Sequence, residues 1–454
     1  MKTRHIPLLL LIAMMLPAYL SSCGEDRWAE YAEQTQTDRW IDDTMRVWYY
    51  WNKEIPESNK LNYFTKPADF FKSLLSPDDK FSVIDSLKPS TRSIPDTDNS
   101  YGFQFSIDQR LNDTAYFVRV LYVAENSPAY NAGLQRGDFI IRVNDRYITN
   151  KNYTQLLFNG GAVALTAGRY DAESDGVVAY DQPLQMEASR AIEDNPVLYR
   201  NVYTRGDKQI GYLVYNHFSF GPTDDYTNRP YDQSLLEASN YFASRQINEL
   251  ILDLRYNNGG YLSCAELLCA LIAPTSALGS ELGYALFNEQ HGKAAYTLNP
   301  QLITGGSNLN LNRLYVLTST QTASASEMVI NSLKPYMEVV VVGQKTVGKN
   351  VGSTAFSNEE LQITMNPIVC KIYNAENSSD YAQGFQPDYP MSETSEPARF
   401  LPFGNENEML LGNTLDIIAG GGDTPAETRA AATIQPTTVF NSVSRRASNA
   451  VQIN

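Results

Sequence analysis

Histidine is scarce in this chain of 454 residues, which holds only His5, His217 and His291. Neither His217 nor His291 has a nearby Asp in a recognisable motif, and no G-x-S-x-G stretch exists, so nothing supports a histidine-based triad. With only four cysteines as well, no clustered metal-ligand spacing appears, and no metal or other cofactor is expected. Cys264 and Cys269 lie five positions apart in a predicted helix and would point in different directions, which is poor disulfide geometry. With Cys370 they read as buried structural thiols. Positive charge is short too: 36 basic against 51 acidic residues give a formal charge of -15. Such a surface repels phosphate backbones and argues against nucleic acid as a partner. The apolar run Ile6 to Leu20 is shorter than the roughly 20 residues that cross a bilayer, and Pro7 and Pro17 interrupt it.

What is present begins around that run. Lys2 and Arg4 precede it and Leu20-Ser21-Ser22-Cys23 follows, the order of a secretory signal closing on a stretch that resembles a bacterial lipobox. Residues 1–22 are therefore expected to be a lipoprotein signal peptide, with Cys23 lipidated as the new N-terminus. That places the chain on a bacterial membrane in the cell envelope, on a periplasmic face or at the cell surface. Residues 23–38 read as a linker.

At this length several cores are expected, and apolar residues at 43% are ample for them. All four tryptophans fall between residues 28 and 51, and Trp40, Val47, Trp48 and Trp51 recur at helical spacing before Pro56. A second short helix is predicted at Ala68 to Leu75, giving a small helical domain over residues 39–95. From residue 98 to 189 short β runs take over, at Tyr101 to Phe105, Tyr116 to Ala124 and Asp138 to Val143. Between the last two, the run S-P-A-x-x-A-G-L-x-x-G-D from Ser127 to Asp138 resembles a PDZ domain, in which a peptide adds as a strand and its terminal carboxylate rests on loop amides. That resemblance implies peptide binding by Tyr101, Gly102, Phe103, Gln104 and Phe105. From 190 to 420 strands alternate with helices, the pattern of an α/β core on a largely parallel sheet. Residues 421–454 are rich in Ala, Thr, Ser and Asn without periodicity and are expected to be disordered. The whole reads as a multidomain α/β chain.

Chemistry gathers where strands end and helices begin. Ser324, in Thr322-Ala323-Ser324-Ala325-Ser326-Glu327, follows the predicted strand Arg313 to Leu317 and opens a helix, where amides favour developing negative charge. The strand Glu249 to Leu254 leads into Arg255-Tyr256-Asn257-Asn258-Gly259-Gly260, whose glycines permit close backbone approach. Lys349 follows Gly348 in a turn 25 positions after Ser324. An ordinary lysine, with a pKa of about 10.4, is neutral about once in a few thousand molecules at pH 7, so it could serve as a base only if desolvated. Bland readings compete. Ser324 with Glu327 fits an ordinary capping box, Gly343 to Lys349 nearly matches a phosphate-binding loop but has Asn350 where Ser or Thr should follow, and Asp253-Leu254-Arg255 fits a sheet edge with a paired arginine.

Taken in order, the helical cap, the PDZ-like run, D-L-R-x-N-x-G-G, T-A-S-A-S-E and V-G-x-x-x-x-G-K resemble the carboxy-terminal processing, or tail-specific, serine peptidases, over most of residues 39 to about 400. The resemblance implies a Ser324 nucleophile, a Lys349 general base, an oxyanion hole from Ala325 and Gly259, and protein or peptide tails as substrates; the glycine turn itself offers the Gly260 amide as the alternative to that of Gly259. Many members carry a glutamine four residues after the lysine; here Ser353 stands there, and Asn350 replaces a usual glycine, which leaves open how the amine is aimed. The competing reading is a peptide-binding envelope lipoprotein that keeps the fold without turnover.

Overall fold

The computed structural model describes residues 28–86, 99–109, 116–223, 225–420, 437–445 and 451–452. Residues 1–22, expected to be a signal peptide, and Cys23 lie outside the described residues. Among those described, no helix is long and apolar enough to cross a membrane.

The expected α/β core is built on a six-stranded sheet in the spatial order Tyr389–Pro390, Glu338–Gly343, Arg313–Thr318, Glu249–Asp253, Lys208–Tyr215, Val197–Arg205. Its strands pair in parallel except the last two, which form an antiparallel hairpin. The central strand Glu249–Asp253 is buried along its whole length, as a strand covered on both faces must be. Leu250 and Leu252 point toward the helices Pro230–Ser244, Leu262–Ile272 and Ala325–Leu333. The alternate residue Ile251 packs with Tyr212, Tyr315 and Leu317 under the helix Met409–Ile418, so the period of two sorts the side chains between two cores. Asp253 and Arg255 thus leave the middle of this sheet rather than its edge.

Beyond the helices lies a five-stranded sheet, Lys293–Thr297, Glu281–Phe287, Ile368–Asn374, Val351–Ser353 and Val451–Gln452 in that order. The sequence reading had not separated it. The β-rich module has an eight-stranded sheet built around Phe103–Gln109, Tyr116–Val123, Asp138–Val143 and Val163–Asp171, with its own core of Phe103, Phe105, Val118, Val120, Ile140 and Leu165. Ile41 and Met45 of helix Trp28–Trp48, with Tyr49 just after it, pack against Phe70, Phe71 and Leu74.

Two expectations are corrected. The helix starts inside the span read as a linker, because helix-favouring Ala32, Glu33 and Gln34 continue its register upstream. Within the tail expected to be disordered, Thr437–Asn441 is a strand and Ser442–Arg445 a short 3-10 turn. Thr-Thr-Val-Phe is β-branched and aromatic, and it pairs with Phe103–Gln109 at what would otherwise be an open sheet edge.

Candidate active site

Ser324 stands between the strand Arg313–Thr318 and the helix Ala325–Leu333, with φ 62° and ψ -116°. A side-chain-bearing residue rarely adopts a positive φ unless its surroundings hold it there. Those surroundings are visible. Thr322 Oγ1 donates to the Leu254 carbonyl at 2.8 Å, the Ala323 amide to the Asn257 carbonyl at 3.2 Å, and Ser326 Oγ to the same carbonyl at 3.0 Å. The loop carrying the serine is therefore tied to the D-L-R-Y-N-N-G-G turn. Ser324 is fully buried, and its hydroxyl has no hydrogen-bond partner among the described residues.

Glu327 explains how serine and lysine are set relative to each other. One carboxylate oxygen accepts from the Ser324 amide at 2.9 Å and the Lys349 amide at 2.7 Å; the other accepts from the Gly348 amide at 2.7 Å and Thr346 Oγ1 at 2.6 Å. A single buried side chain thus clamps both backbones. The two residues are placed as a capping box, with the Glu327 arm hydrogen-bonded and the Ser324 hydroxyl set toward the Glu327 amide without completing a hydrogen bond. Burial pushes the Glu327 carboxyl above its ordinary range, and these four donors pull it back.

Lys349 is 1% exposed. Burial lowers its pKa to about 7, against the opposing pull of the Glu327 and Asp79 charges. Part of that cover comes from the N-terminal domain, where Phe81 places its ring 5.0 Å from Nζ. Asn350 holds the next step of the turn by donating to the Ser379 carbonyl at 2.7 Å. Ser353 is buried in the short strand that pairs with Ile368–Asn374.

Gly259 lies against the serine: a Cβ built there would sit 2.7 Å from Ser324 Cβ and 3.0 Å from Oγ. Its φ is 109°, and its amide donates to Asn257 Oδ1 at 2.9 Å. Gly260 faces the other way, toward the Phe218 carbonyl. Ala325 opens the helix, where the first amides have no intrahelical acceptor. His291 is stacked on Trp48 at 4.0 Å with Nε2 on the Val47 carbonyl, and His217 Nδ1 is 2.8 Å from Asn216 Oδ1.

Family comparisons agree with this architecture. The family model for peptidase family S41 matches residues 209–391, that for the peptidase S41 N-terminal domain matches 36–83, and a PDZ domain matches 119–160. The crystal structure of an S41 protein from Bacteroides fragilis superposes with a TM-score of 0.78 at 41% identity, covering 85% of this chain and 98% of that one. The chain belongs to peptidase family S41. Carboxyl-terminal-processing proteases of Synechocystis sp. and Picosynechococcus sp. are 23% and 22% identical to it, each over 70% of this chain, and over 68% and 69% of their own lengths. This S41 chain is accordingly a serine-type peptidase with a PDZ module.

Its sequence-predicted residues do not all meet. Ser324, Ala325 and Gly259 are neighbours, and Lys349 joins them through Glu327. Tyr101, Gly102, Phe103, Gln104 and Phe105 lie in the separate β-rich module: Tyr101 is turned inward with its hydroxyl on Asn159 and the Gly161 carbonyl, and Phe103 and Phe105 fill the core. Sequence reasoning passed over Glu327 as a mere cap and missed Phe81. It also missed a buried ion network. Arg255 meets Asp253 at 2.8 Å, Glu408 at 2.7 Å and Glu393 at 3.0 Å. Arg136 of the β-rich module meets the same Glu393 at 2.9 Å. Burial opposes charge on Glu393, yet the two guanidiniums hold its pKa at about 2. The acidic residues 138 or more positions downstream of Arg255 carried no sequence signal linking them to it.

Proposed function

We propose that this S41 chain is a lipid-anchored endopeptidase of the cell envelope, attached through Cys23, that cleaves proteins or peptides held by their tails. Neutral Lys349 Nζ takes the proton of Ser324 Oγ, and the oxygen attacks the peptide carbonyl. The Ala325 amide receives the developing oxyanion, while Gly259, its own amide held by Asn257 Oδ1, leaves the space beside Ser324 open because it has no side chain. As the tetrahedral species collapses, the Lys349 ammonium returns its proton to the departing amine, leaving an acyl-enzyme that water hydrolyses.

One observation carries this reading: a wholly buried lysine with its pKa lowered to about 7, clamped by the same carboxylate as a buried serine whose hydroxyl is unpaired. An amine that is half neutral at pH 7 is matched to base work. Asn350 and Glu327, rather than a glutamine four residues on, would fix the backbone from which the amine extends.

Cleavage of casein and of an extended peptide by wild type, Ser324→Ala and Lys349→Ala tests the assignment. Loss of turnover in both variants is expected. Undiminished cleavage in either removes the dyad, and peptide binding without turnover in the wild type would instead favour a ligand-holding lipoprotein.

A further inference from the structure

The strand Phe103–Gln109 is bordered on one side by Tyr116–Val123 and on the other by the chain's own Thr437–Asn441. The tail strand runs antiparallel, with Gln109 opposite Thr437, Ile107 opposite Phe440 and Ser106 opposite Asn441. It lies where an added peptide strand would lie.

The contacts are built from side chains as well as backbone. The Phe440 ring packs 5.7 Å from Phe105, 4.9 Å from Tyr153 and 6.4 Å from Phe158, at the helix Tyr153–Leu157 that walls the groove. Thr438 Oγ1 donates to Asp108 Oδ1 at 2.8 Å, and Asp108 is itself held by Arg119 at 3.1 Å. Ser442 Oγ accepts from the Phe105 amide at 2.7 Å and donates to Gln104 Oε1 at 2.6 Å.

Pairing stops there, short of the Tyr101-Gly102 loop that would hold a terminal carboxylate. The Gly102 amide is engaged instead by Ser100 Oγ at 3.0 Å. The tail turns away through Ser442–Arg445, burying Val443 against Leu121, Tyr122, Tyr256 and Phe400. Asn258, next to Gly259, donates to the Val443 carbonyl at 3.3 Å. Further on, Val451–Gln452 pairs in parallel with Val351–Ser353, just beyond Lys349. The tail thus touches both the groove and the catalytic turn.

We propose that this groove holds the tail region of a substrate as an extended segment carrying an aromatic residue, with no requirement for a free terminal carboxylate, and that residues 437–443 fill it in cis so that any substrate must displace them. The pocket of Phe105, Tyr153 and Phe158 selects the aromatic side chain, and Gln104 with the Phe105 amide selects a hydroxyl two residues later. A tethered occupant acts at an effective concentration on the order of millimolar, so removing it strengthens binding in trans by about ten- to a hundredfold. Only the rate readout below rests on the peptidase reading.

The test uses the full-length chain carrying Phe440→Asp, which expels the ring, and a labelled peptide of the tail sequence, Pro436 to Arg446, made with a free or an amidated C-terminus. Fluorescence polarisation in the Ser324→Ala background is expected to give about tenfold or greater tightening over the chain with Phe440 intact. Both termini should bind alike, and Tyr153→Ala added to Phe440→Asp should abolish the gain. With Ser324 restored, Phe440→Asp is expected to raise kcat/KM on peptide substrates by a similar factor. Equal affinity with and without Phe440→Asp, or binding by the free acid alone, overturns the proposal. Tightening in the binding assay with no turnover in any variant upholds the groove proposal and removes the peptidase reading instead.

Discussion

Varying pH across neutrality perturbs the buried amine directly. In water a lysine side chain has a pKa of about 10.4 and is neutral about once in a few thousand molecules at pH 7. At a pKa of about 7, Lys349 is half neutral, roughly a thousandfold more working base. Below that pKa, kcat/KM is expected to rise about tenfold per pH unit, and above it to level off, because the deprotonated amine is the competent form. Lys349→Arg, always charged, should lose about 10²- to 10⁴-fold. An unperturbed imidazole titrates near 6.5, so the inflection must survive in His291→Gln and His217→Gln. Stability gives an independent readout. The folded pKa lies below the unfolded one, so the folded chain binds fewer protons between about 7 and 10.4, and stability rises with pH there by up to about 1.4 kcal/mol per unit. Integrated over the window this is about 5 kcal/mol, a penalty present in full below pH 7. Lys349→Met lacks it, so its stability advantage in urea unfolding should shrink as pH rises from 7 toward 10. A flat rate profile together with a pH-independent stability gap would refute a desolvated amine at this site.

Ser324→Ala removes a buried hydroxyl that has no partner, so thermal unfolding should show unchanged or about 1 kcal/mol greater stability while cleavage disappears. Gly259→Ala forces a Cβ to within 2.7 Å of Ser324 at φ 109°, and urea titration should record a loss of about 2–4 kcal/mol along with activity. Glu327→Gln puts an N–H₂ in place of one oxygen, against either the Ser324 and Lys349 amides or the Gly348 amide and the Thr346 hydroxyl; kcat should fall about 10²-fold with KM little changed. Its pH–rate inflection should move down, since the charge that raises the Lys349 pKa is gone.

The parts of the fold legible in the sequence are those where a local pattern reports a local structure. The helix Ala325–Leu333 lies where its capping residues and apolar spacing put it, and Glu249–Asp253 reads as a buried strand because every residue is covered. Ser324 and Lys349 could be singled out from the motifs they sit in. Less legible was whatever depends on distant partners. Glu281–Phe287 finds Ile368–Asn374 across 83 to 91 positions, and neither run alone declares a strand over a helix. Phe81 covers Lys349 from another domain. The tail strand reads as unstructured by composition because its β-favouring run, Thr437 to Phe440, is too short to declare a strand without the sheet edge it joins.

Several features of the site raise the free energy of the folded state: a serine at positive φ, an unpaired buried hydroxyl and a desolvated amine. Each costs on the order of 1–5 kcal/mol and survives only if the neighbourhood leaves no cheaper arrangement. Glu327 does this locally, since relaxing either the serine or the lysine backbone would leave a buried carboxylate short of donors. The D-L-R-Y-N-N-G-G turn in turn cannot drift, because Arg255 would separate from Asp253, Glu393 and Glu408 inside the protein. Parting one member of such a buried set costs about 3–5 kcal/mol, comparable to the strain being held. Arg136 shares Glu393 and Glu408 with Arg255, so the module bearing the groove and the turn bearing Gly259 rest on one pair of carboxylates, and a shift of either is felt by the other.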